Sequence, residues 1–375
     1  MRILEKQYQD MKKPKAVVFY QYLPPWRIDI FNEMGKYYDM IIVFTNADCE
    51  GFIYNRQELL DKLQNINTIF LNNGFKIGNR PVRSGILKLL KLHKPDVVFS
   101  HEYSPTSIQI ALYRQLKLCK YRYYLTTSDN LKMAEDSSGF KAKARNYVLN
   151  HADGIIVYSE AVKKWYTDHF PKLKIDICPN IQNPSTLLSY REKFGDIITK
   201  YKQQFGLYSG NIILYTGRLV TVKGLDLLLT AFSKIDREDY KLVIVGDGYE
   251  KNILKELTRK LKIEQKVIFA GYYSGVELYA WYDLANFFMP PSRYEPFGAV
   301  VNEALVYGCP VIASKYIGAL DFINNSNGKI FDPLNEKEFI ETLHDAMNKY
   351  AGAIEKRTNL MPCSFDKYVK SFYSI

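Results

Sequence analysis

Two glutamates eight positions apart, Glu295 and Glu303, stand in the stretch SRYEPFGAVVNEALVYGCPVIAS (292–314). Pro296-Phe297-Gly298 follows the first and sets a tight entry into an apolar run, Ala299 to Tyr307, that reads as helix. Glu295 then lies at the helix N-terminus, beside the N–H groups of Gly298, Ala299 and Val300. Glu303 lies about one turn further in. A carboxylate accepts hydrogen bonds from two neighbouring hydroxyls, so the pair suits a polyol. The exposed amides suit phosphate or sugar oxygens. One carboxylate for a sugar and one for a ribose, with phosphates between, fits a nucleotide sugar. Glutamates early in a helix also complement its dipole without any ligand.

A second group of residues follows the strand-like run NIILY, in TGRLVTVKGLDLLLTAF (216–232). Gly217 lets the chain turn away from the strand, and Arg218 follows at the strand's carboxyl end. Lys223-Gly224 opens an amphipathic helix with Leu225, Leu228, Leu229 and Phe232 on one face. An arginine fork, a lysine point charge and a helix N-terminus make a diphosphate clamp. As surface charges near a turn, the same residues would need no ligand.

These residues need strands that end where they begin. Short β-branched runs alternate with amphipathic stretches throughout. In the first half they are AVVFY (16–20), MIIVFT (40–45), NTIFL (67–71), DVVFS (96–100), YYLTT (123–127), GIIVY (154–158) and KIDIC (174–178). In the second they are NIILY (211–215), KLVIV (241–245), KVIFA (266–270), NFFMP (286–290), PVIAS (310–314) and GKIF (328–331). Near-continuous apolar strands, each followed by a helical pattern, imply parallel sheets covered on both faces. The reading is an α/β chain with a doubly wound domain present twice. The halves divide near PNIQNPSTLLSY (179–190), a polar stretch with two prolines. The predicted parts are residues 1–180, a linker at 181–190, residues 191–360, and a C-terminal helix at 361–375. In that helix Phe365, Tyr368, Val369 and Phe372 recur at helical spacing.

The 375 residues, 47% hydrophobic and 24% charged, have the composition of a globular protein of about two domains. No run is apolar enough to span a membrane, and MRILEKQYQDMKKPK does not read as a secretory signal. Five scattered cysteines without a CxxC argue against a disulfide framework or a zinc site, and for a cytoplasmic setting. Net charge is +11, of which residues 1–200 carry +10 (30 Lys and Arg against 20 Asp and Glu). So basic a half suits an anionic partner or simply a soluble surface.

The string EPFGAVVNE matches the E-x7-E motif of retaining GT-B glycosyltransferases, and the chain resembles glycosyltransferase family 4. GRLVTVKG resembles the family's GRL-x-x-x-KG element. KLVIVGDG (241–248), FAGYYSGVELYAWYDLANFFMPPSRYEPFG (269–298) and GCPVIAS (308–314) resemble neighbouring blocks, and SFDKY (364–368) its closing helix. The resemblance covers most of residues 211–331 and is thinner in the first half. It implies a GT-B-like fold, two Rossmann-type domains facing across a cleft, with the last helix crossing back to the first domain. It implies a hexosyltransferase-type enzyme of class EC 2.4, moving a sugar from a nucleotide-diphosphate donor to a hydroxyl acceptor in surface polysaccharide or glycolipid assembly. Arg218 and Lys223 would bind the donor diphosphate and stabilise the leaving group. Glu295 would hold hydroxyls of the donor sugar, and Glu303 the ribose. Gly217, Gly246 and the backbone from Phe297 through Gly298 and Ala299 to Val300 complete the donor set.

The first half departs from the family pattern. Where many relatives carry a Gly-Gly loop, this chain has QYLPPWRIDIF (21–31), in which Tyr22 and Arg27 are candidate replacements for backbone donors. Where many carry a histidine, it has TTSDN (126–130), in which Asp129 is a candidate for a polar role. His101-Glu102, after DVVFS, resembles a histidine-containing family loop. The acceptor-side set is therefore Tyr22, Arg27, His101, Glu102 and Asp129. No D-x-D pattern occurs, so transfer is expected to need neither a metal nor a cofactor, with the nucleotide sugar as co-substrate. KIGNRPVRSGILKLLKLHKPD (76–96) reads as a helix covering the sheet, or as a peripheral contact with anionic lipid at the inner face of the cell membrane. Competing readings are a sugar phosphorylase, a non-catalytic sugar-nucleotide sensor, and a nucleic-acid-binding protein, for which no RNP-type or zinc-finger string is present.

Overall fold

A computed structural model describes residues 13–46, 55–78, 80–354 and 357–375. The chain forms two compact units. One runs to Ile181 and also takes in Asp366–Ile375; the other is Gln182–Phe365.

Among the described residues, the first unit holds a seven-stranded parallel sheet: β1 (Lys15–Tyr20), β2 (Asp39–Phe44), β3 (Asn67–Phe70), β6 (Val97–His101), β7 (Arg122–Thr126), β8 (Gly154–Val157) and β9 (Lys174–Ile177). Their order is β3-β2-β1-β6-β7-β8-β9. Val17, Phe19, Val43, Val98, Leu125 and Ile155 are buried in its core. Burial on both faces of the central strands β1, β6, β7 and β8 is why these read as unbroken apolar runs, while the edge strands β3 and β9 are only partly covered. A separate antiparallel hairpin, β4 (Gly74–Ile77) with β5 (Arg80–Arg83), precedes the helix Ile86–His93. Lys76, Ile77 and Arg80–Arg83, read from sequence as part of one helical stretch, are thus strand. Pro81 is tolerated there because a two-stranded ribbon leaves edge positions without ladder bonds. The remainder is a helix that buries Ile86, Leu89 and Leu90.

The second unit holds a six-stranded parallel sheet among the described residues: β10 (Asn211–Thr216), β11 (Tyr240–Val245), β12 (Val267–Gly271), β13 (Phe287–Phe288), β14 (Val311–Ser314) and β15 (Gly328–Phe331). Their order is β12-β11-β10-β13-β14-β15. Both sheets change direction of strand order at their first strand, the switch point beside which ligands bind in open α/β sheets. β13 is shorter than the run NFFMP suggests, because Pro290 and Pro291 have no N–H for the ladder.

The units divide between Ile181 and Gln182, at the start of the stretch expected as a linker at 181–190, and the rest of that stretch is structured. Pro184–Ser189 is a helix, with proline in its first turn and the Asn183 side chain accepting from Ser185 N–H at 2.9 Å. Leu187 is buried in the second unit. The C-terminal boundary also moves. Residues before Phe365 belong to the second unit, where Leu360 N–H donates to Leu305 O at 2.8 Å. Beyond it, Tyr38 donates to Phe372 O at 2.7 Å, Arg122 to Ile375 O at 2.7 Å and Lys174 to Ser374 O at 3.0 Å. The last ten residues therefore complete the first unit, and Val369 and Phe372 fill its core.

Candidate active site

The second unit's candidate residues gather at the carboxyl ends of β10, β11 and β13. Gly217 and Gly246 form adjoining turns there: Gly217 N–H donates to Val245 O at 3.0 Å and Gly246 N–H to Gly271 O at 2.8 Å. At Gly246, with φ of +150°, a Cβ would fall 1.8 Å from Gly217 O, so no other residue fits. Arg218 follows with an exposed side chain, its carbonyl accepting from the Tyr215 hydroxyl at 2.9 Å.

The short turn Thr221–Lys223 leads into the helix Leu225–Ser233, which buries Leu225, Leu228, Leu229 and Phe232. Lys223 is thereby brought onto Glu295 as an ion pair, with side-chain exposures of 17% and 18%. The Glu295 backbone is fixed as well: its N–H donates to Tyr316 O at 3.0 Å and its carbonyl accepts from Gly318 N–H at 3.1 Å. The two residues expected to serve phosphate and sugar separately hold each other.

Arg293 was not singled out from the sequence. Its guanidinium donates to both oxygens of Asp226, at 2.6 and 2.7 Å, and to Thr221 O at 3.1 Å. Arg293 N–H also donates to Val222 O at 2.8 Å. This fork ties the loop carrying Glu295 to the turn carrying Lys223. Partial burial pushes the Asp226 carboxyl up, but the Arg293 fork and backbone amides outweigh it and hold it below the ordinary carboxylate range. The only hint in the sequence was a charge two positions before Glu295.

Glu303 lies in the helix Ala299–Val306, and burial pushes its carboxyl up to about 7, against bonds that favour the charged form. Those bonds come from the Tyr282 hydroxyl at 3.1 Å and Gln182 Nε2 at 2.9 Å. Tyr282 also pairs with Thr216 Oγ1 at 2.8 Å, and Gln182 N–H donates to Asn302 Oδ1 at 3.0 Å. Gln182, in no motif the sequence displays, and Tyr282, inside the block 269–298 but not singled out there, thus support this carboxylate. Gly298 caps the helix at φ +93°, where a Cβ would approach Ile317 Cγ2 to 2.8 Å. The Phe297 side chain packs edge-to-face on Phe322 at 5.8 Å, so only its backbone faces the helix entry. Ala299 and Val300 begin the helix, and the leading N–H groups of a helix have no partner within it.

The acceptor-side candidates lie in the first unit and are mostly enclosed. Tyr22 is partly buried just beyond β1. Arg27 is 2% exposed. His101 stacks on Tyr20 at 4.1 Å and pairs through Nδ1 with Thr126 Oγ1 at 2.9 Å. Burial, then the Arg27 charge, lowers the His101 imidazole to about 3, so it is neutral at physiological pH. Glu102, at φ +59°, accepts from Ser128 N–H at 2.8 Å and from the Ser128 and Thr127 hydroxyls. Asp129 is buried between the Tyr166 hydroxyl at 2.8 Å and Lys141 Nζ at 3.2 Å. Burial and the neighbouring Glu102 raise its carboxyl above the ordinary range. Among the described residues, no three His, Cys, Asp or Glu side chains converge as a metal site.

Comparison with known proteins follows this geometry. Residues 198–361 match the family model described as glycosyl transferases group 1. An uncharacterized glycosyltransferase of Methanocaldococcus jannaschii, MJ1607, is 33% identical over 189 residues, 48% of this chain and 47% of that protein. The alpha-monoglucosyldiacylglycerol synthase of Streptococcus pneumoniae is 27% identical over 309 residues, 77% of this chain and 68% of that protein. Two of the first curated relatives it matches are spanned over only 47% and 32% of their length. In fold, the chain is similar to Anabaena Alr3699/HepE solved in complex with UDP, with a TM-score of 0.70 and 18% identity, covering 96% of this chain and 94% of that one. A glycosyltransferase from Rickettsia africae gives a TM-score of 0.74 and 18% identity over 97% and 98% of the two chains. Within the second unit, residues 198–361 are thus similar to glycosyl transferases group 1, in a chain with the two-Rossmann-domain GT-B fold.

Proposed function

We propose that the protein is a retaining hexosyltransferase of the family 4 type, moving a sugar from a nucleotide-diphosphate donor to a hydroxyl acceptor without a metal. The observation that carries this reading is the Lys223–Glu295 pair at the carboxyl edge of the sheet that also carries the Gly217 and Gly246 turns, with Glu303 in the helix that follows Glu295. Sugar hydroxyls compete for the Glu295 carboxylate, and Lys223 then turns its charge to the diphosphate. Arg218 and Lys223 stabilise charge on the departing nucleotide, and fixed cations of this kind are worth most where charge develops. Glu303, supported by Tyr282 and Gln182, takes the ribose hydroxyls. No side chain in the set is a free nucleophile, which favours departure and attack on one face of the sugar.

A nucleoside-diphosphate donor agrees with the UDP bound in the Anabaena structure. A lipid or glycan acceptor agrees with the names of two relatives, the S. pneumoniae synthase and a Salmonella lipopolysaccharide 1,2-N-acetylglucosaminetransferase. Peripheral contact with anionic membrane is part of the same reading. Residues 62–95 hold seven Lys and Arg and no Asp or Glu, and Phe75, Ile77 and Leu92 are exposed among them. Among the described residues, no helix is long and apolar enough to cross a membrane.

The test is a thermal-shift panel with UDP, GDP, ADP, TDP and CMP on the wild type and on Arg218→Ala, with EDTA present. One diphosphate should stabilise the wild type and not the variant. Product formed from the matching sugar nucleotide should keep the donor's anomeric configuration by proton NMR. No shift with any nucleotide, or inversion in the product, would sink the corresponding part of the reading.

A further inference from the structure

Arg27 closes the short turn Pro25–Arg27 after β1, and only 2% of its surface is exposed. None of its Nε, Nη1 and Nη2 makes a hydrogen bond of good geometry, and only the Tyr158 and Tyr20 phenols and the Cys178 thiol stand within weak reach of the guanidinium. The other buried arginine of this unit, Arg145, donates to Ala134 O at 2.7 Å and lies over the Trp165 ring. Arg27 has the Tyr158 ring at 4.9 Å, with the Tyr20 phenol and the Cys178 thiol beside it. The Tyr20–His101 stack adjoins this group, and that imidazole is neutral. Among the described residues, no carboxylate is ion-paired with Arg27. The small cavity next to it is walled largely by Val18, Phe31, Phe99 and Phe372, which offer a solvating water few partners. An unpaired buried cation is among the costliest features a fold can keep, and folds keep one where a ligand compensates it.

The position is that of a ligand site. Tyr20 and His101 end β1 and β6, Tyr158 follows β8 and Cys178 follows β9, so Arg27 lies along the carboxyl ends of a parallel sheet. A guanidinium fork matches two oxygens of an oxyanion, and neutral phenols on either side supply further donors. We propose that Arg27 is the receptor for a phosphate group carried by the acceptor, bound at these strand ends with the hydroxyls of Tyr20 and Tyr158. The site rests on the transferase reading for the identity of its ligand, not for its existence.

The experiment measures Tm of the full chain against sodium phosphate, a soluble sugar phosphate and short-chain phosphatidic acid, each compared with sodium chloride at equal ionic strength. Wild type and Arg218→Ala should both rise by about 2 °C or more at saturation. Arg27→Met should lose the rise, and in chloride it should be no less stable than wild type, because removing an unpaired buried charge relieves the fold. A larger rise with the sugar phosphate than with phosphatidic acid identifies a soluble acceptor; the reverse order identifies a lipid. Absence of any rise in the wild type, or a rise retained by Arg27→Met, overturns the proposal. If Arg27→Met does not fold, Arg27→Lys decides: phosphate affinity should fall at least tenfold, and undiminished affinity overturns it. A phosphate response without any response to nucleoside diphosphates would sink the transferase reading and leave the anion site standing.

Discussion

In the proposed donor site, Lys223, Arg218 and Glu303 differ by their surroundings. Lys223 is held by Glu295, so its removal leaves a partly buried carboxylate unpaired as well as losing a cation. Lys223→Ala should therefore lower kcat by about 10²–10³-fold and also raise KM, read by steady-state kinetics. Arg218 has an exposed side chain, so Arg218→Ala should reduce kcat with Tm changing by only a few degrees. Glu303 makes a pH-dependent prediction. Its folded-state value of about 7 lies above the ordinary value of 4.5, so the fold favours the neutral form. Stability from this group is complete below about pH 4.5 and is lost as pH rises through about 7. If Glu303 takes the ribose hydroxyls as proposed, donor binding needs the carboxylate, and affinity should rise over the same interval, by up to about tenfold per pH unit below 7. Glu303→Gln should be more stable than wild type at pH 8, equal to it at pH 4.5, and flat in its donor affinity across the range. Calorimetry at three pH values checks both statements; a Glu303→Gln protein with the wild-type pH profile would refute them.

Two loops meet at the level of the elements. The loop 292–295 and the turn Thr221–Lys223 are joined by Arg293 bridging to Asp226. This pair touches no reacting atom in the proposed mechanism, so Arg293 is a positioning residue. Arg293→Lys keeps the charge but not the fork and should lower kcat/KM about tenfold, with Tm changing by only a few degrees. Because Asp226 lies below the ordinary carboxylate range, the bond contributes stability above that range, which is lost as pH falls through the lowered value. An Arg293→Lys enzyme with wild-type kinetics would show that the loop is placed by its backbone bonds alone. The helix Ala299–Val306 depends similarly on Gly298. At φ +93° and with Ile317 Cγ2 in the way, Gly298→Ala should cost about 1–3 kcal/mol, measured by denaturant unfolding.

For the whole molecule, the last ten residues and the basic surface matter most. Asp366–Ile375 completes the first unit with Val369 and Phe372 buried at 0% and 3% exposure. A chain ending at Phe365 should lose about 3–5 kcal/mol of that unit's stability, from two large core side chains and the bonds to Phe372 and Ile375. Chemical unfolding followed by tryptophan fluorescence checks it, since Trp26 and Trp165 lie in this unit and Trp281 in the other. The stretch 62–95 should bind vesicles containing phosphatidylglycerol at low salt and release them by about 0.5 M, where screening removes charge attraction. Lys88→Glu with Lys91→Glu should weaken that binding severalfold, and binding to neutral vesicles of equal strength would refute an electrostatic contact.

Periodicity and local chemistry determined much of this. Doubly buried parallel strands announce themselves as apolar runs, so β1 through β15 were legible apart from the β4–β5 hairpin and the short β13. Glycines and prolines at strand ends marked the turns around Gly217, Gly246 and Gly298, because their backbone requirements are local. Glu295, Arg218 and Lys223 stood out for the same reason, each lying next to a break in a regular pattern, and Glu303 stood out as a charge inside an apolar helical run. Tertiary structure alone decided which charges meet. Lys223 and Glu295 are 72 positions apart, Arg293 and Asp226 67, and Gln182 and Glu303 121. Such pairs follow from the order of strands in a sheet, which no spacing along the chain encodes. Burial is also a sum over distant neighbours, so the neutral His101, the enclosed Asp129 and the Arg27 without an ion-pair partner emerge only when the first unit folds around them.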